Sequence, residues 1–255
     1  MVKKKPVKSQ GRKDKIQEKD FVRLNKFIAN SGLCSRREAD RLIESGKIKV
    51  NGKVITGLGT KVKEDDHVQF GNKSLQQEKL RYVLLNKPKD VITTMSDPDG
   101  RKTVYDLIKE ACTERIVPVG RLDRNTTGLL LFTNDGNLAD KLTHPSSNIR
   151  KIYEVHLDKP VTKNDLLKIT GGIELEDGFI QADAVAWVKP EEDKSIVGIE
   201  IHSGRNRIVR RIFEHLEYKV KKLDRTQFAS LTKKDLPRGR WRPLTHREIN
   251  YLKML

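Results

Sequence analysis

The stretch PVGRLDRNTTGLLLFTNDG, residues 118–136, places a single carboxylate, Asp123, shortly before an apolar run. The run LLLF, residues 129–132, is short and bounded by turn-forming residues, a pattern that predicts a buried strand. A charged side chain on the loop that enters a buried strand is held by a rigid scaffold, as functional residues often are. The alternative is that Asp123 only hydrogen-bonds its own turn. The residue pattern alone leaves both interpretations open.

Positive charge is concentrated toward the two ends of the chain. The 255 residues carry a net charge of +17. Residues 1–20 hold 8 basic and 3 acidic side chains and residues 202–255 hold 15 and 5, whereas residues 75–201 hold 18 and 21. This excess is larger than solubility requires, so it indicates a polyanionic partner that is bound with strong salt dependence.

The composition argues against several classes of protein. Cys34 and Cys112 lie far apart and have no His or Cys neighbours at ligand spacing, which argues against a disulfide framework and a zinc site. No apolar run reaches 18 residues, and the lysine-rich start lacks the apolar segment of a signal peptide. We therefore expect a soluble, cytoplasmic protein without a metal or a membrane partner.

Composition and periodicity divide the chain into four parts. Residues 1–20 contain almost nothing apolar and are predicted to be a disordered basic tail. Residues 21–70 predict a small module of two helices and a hairpin, which is too small for a strong core of its own. Residues 71–79, GNKSLQQEK, are polar and predict a linker, and residues 80–255 are predicted to form a second, larger domain.

The second domain is predicted to mix strands and helices. Residues 151–157 alternate between apolar and polar side chains, as a half-buried strand does, and residues 179–188 predict another strand. Residues 133–142 predict a helix with Thr133 or Asn134 as its N-cap.

The small module carries basic side chains at positions where they do not stabilise its helices. Arg36 and Arg37 fall in the first turn of a helix predicted to be capped by Ser35, where cations are unfavourable unless an anion binds them. The other candidates for RNA contacts in this module are Arg23, Lys26, Lys47 and Lys49. The alternative is a helical cap with solvated charges.

Residues 23–55, RLNKFIANSGLCSRREADRLIESGKIKVNGKVI, are similar to the RNA-binding module of the small-subunit ribosomal protein type, the alpha-L motif. That module occurs in many translation and RNA-modifying proteins. The resemblance therefore implies RNA as a partner without specifying a reaction.

The central stretch resembles the main motif of pseudouridine synthases. Residues 120–123, GRLD, followed by a Thr and by residues 128–136, GLLLFTNDG, are similar to the RsuA/RluB-type ribosomal RNA branch of that superfamily. The resemblance implies that Asp123 is the nucleophile acting on a flipped-out uridine. Pseudouridine formation needs no cofactor and no metal, so the resemblance implies none.

Two further motifs are matched residue by residue. Tyr153, in KIYEV, matches the family's active-site tyrosine, although a strand tyrosine is more often a packing residue. When the chain is aligned by its Ser203-Gly204-Arg205 segment, which we take as the opening of a helix, Arg210 matches the arginine that pairs with the aspartate. A buried carboxylate needs a cation to stay ionised, so this pairing has a physical reason.

Basic side chains beside these motifs are predicted to contact RNA. They are Lys87, Arg121, Arg124, Arg205, Arg207 and Arg211. Lys87-Pro88 also resembles the first short motif of the superfamily, with an ordinary strand exit as the alternative. Many relatives in the wider superfamily have His-Gln where Arg207-Ile208 stands here. Trp241, in a basic loop, could stack on a base or pack beneath the loop.

The resemblance and the residue patterns together predict one fold and one function. The fold class is α+β: a small N-terminal alpha-L module, then a two-lobed, mixed and mostly antiparallel sheet with flanking helices and a cleft that holds Asp123. The function is isomerisation of a ribosomal RNA uridine by a monomer. The loop SDPDGR and the segment THP resemble the large-subunit (23S) members of the family more than the small-subunit (16S) members, which implies large-subunit RNA as the substrate.

The alternatives to this function are two other classes of protein. A non-catalytic RNA-binding or ribosome-assembly protein would have no reason to keep Asp123, Tyr153 and Arg210 together. A nuclease would need a cluster of carboxylates for metal ions, and the central motif offers one.

Deletion of residues 1–20 tests the predicted role of the basic tail. Removing 8 basic and 3 acidic side chains should weaken RNA binding and flatten the slope of log K against log salt concentration, because fewer counterions are released. Filter binding between about 50 and 200 mM salt measures both quantities. An unchanged slope would show that the tail does not contact RNA.

Overall fold

The structure is a computed structural model that describes residues 21–63 and 65–255. The predicted basic tail, residues 1–20, lies outside the described residues. The chain divides into two compact units, of which the first ends at Glu78 and the second runs from Lys79 to Leu255.

The first unit combines two helices with short antiparallel strands. Its elements are, in chain order, β1 (Phe21–Arg23), α1 (Leu24–Asn30), α2 (Arg36–Glu44), β2 (Ile48–Val50), β3 (Lys53–Ile55), β4 (Lys61–Lys63), β5 (Val68–Phe70) and β6 (Lys73–Ser74). β1 pairs with β4, and the other strands form a sheet in the order β3-β2-β5-β6. The Ser35 hydroxyl accepts from the Glu38 N–H at 3.3 Å, so α2 begins at the predicted cap.

The predicted linker over residues 71–79 is wrong for most of its length. Lys73–Ser74 pairs with β5, and Leu75 is buried in the core of the first unit. The Glu78 N–H donates to the Asn30 carbonyl at 3.1 Å. A single buried leucine in an otherwise polar stretch gives too weak a signal to be recognised from sequence.

The second unit is built around one mixed sheet. Its elements are β7 (Tyr82–Lys87), α3 (Val104–Ile108), β8 (Val117–Pro118), β9 (Thr126–Thr133), α4 (Gly136–Thr143), a 3₁₀ helix (Pro145–Ser147), β10 (Lys151–Leu157), α5 (Lys163–Gly171), β11 (Ile173–Leu175), β12 (Gly178–Ile180), β13 (Ala184–Lys189), β14 (Asp193–Ile201), α6 (Ile208–His215), β15 (Val220–Phe228), β16 (Leu231–Thr232), β17 (Trp241–Pro243) and α7 (His246–Met254). The main order is β13-β14-β10-β15-β9-β7-β17. Only the pairing of β9 with β15 is parallel among the described strands. The predicted α+β fold with a mostly antiparallel sheet is confirmed.

The apolar run in β9 is continuous because both faces of this strand are covered. Leu129 and Leu131 pack into a core with α4 and α7, whereas Leu130 and Phe132 pack into a second core with α3. Successive side chains of a strand point to opposite faces, so a strand covered on both sides carries an unbroken apolar run. The loop that holds Asp123 therefore enters a strand that is almost entirely buried.

The two lobes of the second unit meet along β15. Leu223, near its start, lies in the core formed with β10, β14, α5 and α6. Phe228, at its end, lies in the core with α4 and α7. The parallel contact of Leu223, Asp224 and Arg225 with the start of β9 joins the lobes beside the Asp123 loop.

Three predicted boundaries are wrong for local reasons. α4 is capped by Asp135, which accepts from the Leu138 N–H at 3.1 Å, whereas Thr133 Oγ1 accepts from the Asp135 N–H and Asn134 Oδ1 accepts from the Arg81 N–H. The predicted strand over residues 179–188 is two strands, since β12 pairs with β11 and β13 pairs with β14. α6 begins at Ile208, after a loop that ends with Arg207 in the left-handed region at φ 49°.

Gly128→Ala tests the close approach of β9 and β15. Gly128 has φ +105°, and a Cβ there would lie 2.5 Å from the Arg225 nitrogen and collide with its carbonyl. We expect the substitution to lower the free energy of unfolding by about 3 kcal/mol, measured by urea denaturation. Gly198→Ala, in β14, is the matched control, because a Cβ there meets its nearest atom at 3.9 Å. Equal losses in the two variants would contradict the account.

Candidate active site

A cavity of about 310 Å³ opens beside Asp123. It is lined by the Asp123 loop, by β10, by β15, and by the loop that precedes α6. The charged and aromatic side chains of the lining are Arg121, Asp123, Lys151, Tyr153, Arg205, Arg207, Arg225 and Phe228. The cavity therefore combines one carboxylate with several cations and aromatic rings.

Asp123 presents its carboxylate to this cavity. The turn that follows is closed by the main chain, because the Thr126 N–H donates to the Asp123 carbonyl at 3.0 Å. The side chain is 39% exposed, and its Oδ2 lies 3.7 Å from Nη1 of Arg207. The turn is thus held without the Asp123 side chain, which remains available to a ligand.

The Asp123 loop is supported from below by Lys87. This side chain is 0% exposed, and its ammonium group donates to the carbonyls of Thr126 at 2.8 Å, Pro88 at 3.0 Å and Arg124 at 3.3 Å. Burial lowers the pKa of Lys87 to about 8, against the opposing effect of the negative charges of Asp123 and Asp90. The prediction that Lys87 contacts RNA is wrong, because a fully buried ammonium group cannot reach a phosphate.

The other end of the loop is fixed by Thr93 and Leu122. The Thr93 hydroxyl donates to the Leu122 carbonyl at 2.7 Å and accepts from the Leu122 N–H at 3.3 Å. Leu122 itself is buried. Asp123 is therefore anchored by main-chain contacts on both sides.

A buried carboxylate, Asp224, braces the start of β9. It accepts from Thr127 Oγ1 at 2.7 Å and from Arg238 Nη1 at 2.7 Å, and it also pairs with Lys233. Burial would raise the pKa of Asp224, but the hydrogen bonds from these three side chains hold that pKa at about 2. Arg238 also donates to Asn86 at 2.7 Å and so ties β15 to β7.

Arg207, and not Arg210, makes the direct contact with Asp123. Arg210 is 8% exposed, its Nη1 donates to the Val220 carbonyl at 3.2 Å, and its Nε has no hydrogen-bond partner among residues 21–63 and 65–255. Burial lowers the pKa of Arg210 and the charge of Arg207 lowers it further, whereas Asp123 raises it. Arg210 thus acts on Asp123 through space. The predicted direct pair is replaced by Arg207, which the left-handed turn before α6 brings to the cavity.

Tyr153 lies half-buried in the cavity wall with two cations that the sequence did not reveal. Its partner on β15 is Arg225, which is 3% exposed and donates from Nε to the Leu129 carbonyl at 2.8 Å. Within the described part of the chain, Nη2 of Arg225 has no hydrogen-bond partner. Lys151 is two residues before Tyr153 and shares its face, so the alternation of KIYEV could have identified it. The sequence did not indicate that Arg225 belongs to the site, because a charged residue in a strand is normally predicted to be exposed.

Lys151 is held in place by the main chain at His202, close to Arg205. Its ammonium group donates to the His202 carbonyl at 2.6 Å. Burial lowers the pKa of Lys151 to about 8, the nearby Arg225 charge lowers it further, and Asp183 opposes both. Its charge is therefore sensitive to the contents of the cavity.

The other predicted RNA contacts fall into four groups. Arg121 and Arg205 line the cavity, and Arg205 also donates to the Gly178 carbonyl at 3.0 Å. Arg124 lies outside the cavity lining and pairs with Asp90 at 3.4 Å. Arg211 forms a two-pronged ion pair with Asp177 at 2.8 and 2.6 Å, so its guanidinium group is already engaged. In the first unit the exposed candidates are Arg23, Arg36, Arg37, Lys47 and Lys49, with Lys26 half-buried.

Trp241 packs against the core that contains α3 and is half-buried. Within residues 21–63 and 65–255, no three His, Cys, Asp or Glu side chains form a group that could hold a metal ion. The helices described there are too short or too polar to cross a membrane.

Comparison with known proteins identifies the family. The family model described as RNA pseudouridylate synthase matches residues 81–215, and the S4 domain model matches residues 22–68. The chain therefore belongs to the RNA pseudouridylate synthase family, and the predictions of an RNA uridine isomerase and of an RNA-binding module are confirmed.

Individual relatives agree with this family. Ribosomal large subunit pseudouridine synthase B of Bacillus subtilis is 43% identical over 235 residues, which cover 91% of this chain and 96% of that protein. An uncharacterized RNA pseudouridine synthase of Aquifex aeolicus is 41% identical over 233 residues, covering 91% and 93%. A crystal structure of a pseudouridylate synthase matches with a TM-score of 0.66 at 30% identity, covering 91% of this chain and 99% of that one.

Lys87→Met tests the buried ammonium group through the pH dependence of stability. The pKa of Lys87 is about 8 in the folded chain against an ordinary 10.5, so the unfolded chain binds more protons between these values. Wild-type stability should therefore gain a contribution from Lys87 as the pH rises from 7.5 to 9.5, and the variant lacks it. We expect the difference in unfolding free energy, wild type minus variant, to grow by up to about 2 kcal/mol.

Urea denaturation at the two pH values measures this difference. The contribution of Lys151 cancels, because both proteins contain that residue. A difference that stays constant or shrinks with rising pH would contradict the assignment.

Proposed function

We propose that this enzyme converts one uridine of large-subunit ribosomal RNA to pseudouridine, with Asp123 as the nucleophile. The observation that carries the proposal is the position of the Asp123 carboxylate. It projects from a loop anchored on both sides into a cavity that also contains Tyr153 and Arg207. A fixed carboxylate beside a half-buried aromatic ring suits a reaction on a nucleobase and its sugar.

The reaction breaks the bond between ribose C1′ and uracil N1, turns the base, and joins C1′ to C5. Positive charge develops on the ribose when the first bond breaks, as in glycoside cleavage. The Asp123 carboxylate can stabilise that charge or trap it covalently. Attack on the base, or support of an elimination, would use the same carboxylate. At the end C5 loses its proton and N1 takes up a proton, and Tyr153 is placed to relay a proton in this exchange.

The departing uracil carries the negative charge of the broken bond. Arg225 and Lys151 line the cavity on the same face as Tyr153, and both are held by contacts with main-chain carbonyls. Donors fixed in advance where charge develops stabilise a transition state without reorganisation. The guanidinium group of Arg225 lines the cavity and adds positive charge on the side where the uracil departs. Arg207 and the through-space charge of Arg210 keep Asp123 in an electropositive setting.

The target uridine must leave its stack to reach this cavity, at a price of a few kcal/mol. Contacts between phosphates and basic side chains offset that cost. Arg121 and Arg205 at the cavity and the exposed cations of the first unit supply such contacts. Large-subunit RNA is the proposed substrate, because relatives over 35% identical across about nine tenths of the chain carry that substrate in their names. We further propose that the enzyme acts as a cytoplasmic monomer.

Asp123→Asn tests the proposed chemistry. The amide keeps the shape of the side chain and removes its charge, so we expect turnover to fall by at least about 10⁴-fold while RNA affinity stays nearly unchanged. The assay follows tritium release from 5-tritiated uridine in transcripts of 23S and 16S RNA. Asp90→Asn is the matched control, because Asp90 also faces Lys87 but lies outside the cavity lining.

Asp90→Asn should keep turnover within about twofold of wild type, since exposed ion pairs contribute little. Turnover of the 16S transcript alone would overturn the proposed substrate. Full activity of Asp123→Asn would overturn the proposed nucleophile.

A further inference from the structure

A second cavity, of about 640 Å³, lies beside the Asp123 cavity in the same unit. The residues that line both cavities are Thr143, Lys151, Ser203, Gly204 and Arg205. Because the cavities share one wall, a nucleotide bound in the second cavity would lie next to a uridine placed at Asp123.

The second cavity contains an aromatic ring that is not part of the core. Phe179, in β12, is 55% exposed although it is a large apolar residue. Its ring rests on Gly172, where φ is +102° and a Cβ would overlap the ring, with the ring atom Cε1 at 3.0 Å. The ring is thus supported on one side and open to the cavity, which is the arrangement of a stacking platform for a base.

The rest of the lining supplies polar groups and positive charge. The His202 ring is fixed by Asp183 at 2.8 Å, and Gln181 donates to the Thr170 carbonyl at 2.7 Å, so both side chains are held in place. Lys151 and Arg205 stand where the two cavities meet. Stacking on one face, hydrogen bonding at the base edge and cations for the phosphate are the elements by which proteins bind unpaired nucleotides.

We propose that this second cavity binds an unpaired nucleotide close to the target uridine, with its base on Phe179 and its phosphate near Lys151 and Arg205. The cavity is larger than the one beside Asp123, so it has room for a purine. The inference rests on the proposed function, because it names the part of the RNA that would select the target. The enzyme would then recognise two unpaired nucleotides at once.

A double-mutant cycle between protein and RNA tests this subsite. The RNA is the stem-loop of 23S RNA that the full-length enzyme protects from nuclease, made with an abasic site at each unpaired position in turn. Phe179→Leu removes the ring and keeps an apolar side chain, and Phe179→His restores a smaller ring. Leu167→Ala is the matched control, since Leu167 is 59% exposed in the same unit and lines neither cavity.

We expect Phe179→Leu to weaken binding of the intact RNA between about 5- and 100-fold, the range of one lost base–aromatic stack. One abasic position should weaken wild-type binding equally and leave Phe179→Leu without further loss, because the two changes remove the same contact. Phe179→His should recover part of the affinity, and Leu167→Ala should bind as wild type does. Wild-type affinity of Phe179→Leu, or additive losses at every abasic position, would overturn the subsite.

This binding cycle is independent of the chemistry at Asp123. If the enzyme forms pseudouridine in this RNA but the cycle shows no coupling between Phe179→Leu and any abasic position, the subsite is overturned and the proposed function stands. Coupling in an RNA that the wild-type enzyme never modifies would support the subsite and count against the proposed function.

Discussion

The burial of one ammonium group beneath the Asp123 loop is the constraint on which the active site depends. Lys87 is at the end of β7 and donates to three carbonyls, two of them on either side of the turn after Asp123. An uncompensated buried charge would be strongly unfavourable, so Lys87 keeps those carbonyls in one arrangement. The main chain at Asp123 is then held in place, and its carboxylate moves mainly by rotation about the side-chain bonds. Lys87, which the sequence predicted to contact RNA, supports the loop instead.

The parallel contact between β9 and β15 places the remaining groups around that loop. Gly128 allows the strands to approach, and Asp224 in β15 joins them by accepting from Thr127 in β9. The same register sets Arg225 beside Tyr153. Since the two lobes join along this contact, the cavity is a product of the sheet's one parallel pairing within the described strands. Stability and catalytic geometry therefore depend on the same few residues.

The sequence predicted the elements with strong local signals and missed those fixed by distant contacts. The run in β9, the alternation in β10 and the Ser35 cap were recognisable from residue pattern. The burial of Lys87 was not, because it depends on carbonyls almost 40 positions away along the chain. Arg207 was assigned to phosphate because its left-handed φ, which turns it toward Asp123, has no signature in a basic segment. The buried position of Arg225 could not be predicted either, because only the folded sheet places that side chain inside.

Mapping of pseudouridine in both ribosomal RNAs of cells that lack this protein tests both the proposed substrate and the role of Asp123. Carbodiimide modification followed by primer extension detects each site, and the cells are complemented with wild type or with Asp123→Asn. We predict that one large-subunit uridine loses its modification and that only the wild type restores it. Restoration by Asp123→Asn, or unchanged modification at every large-subunit site, would contradict it.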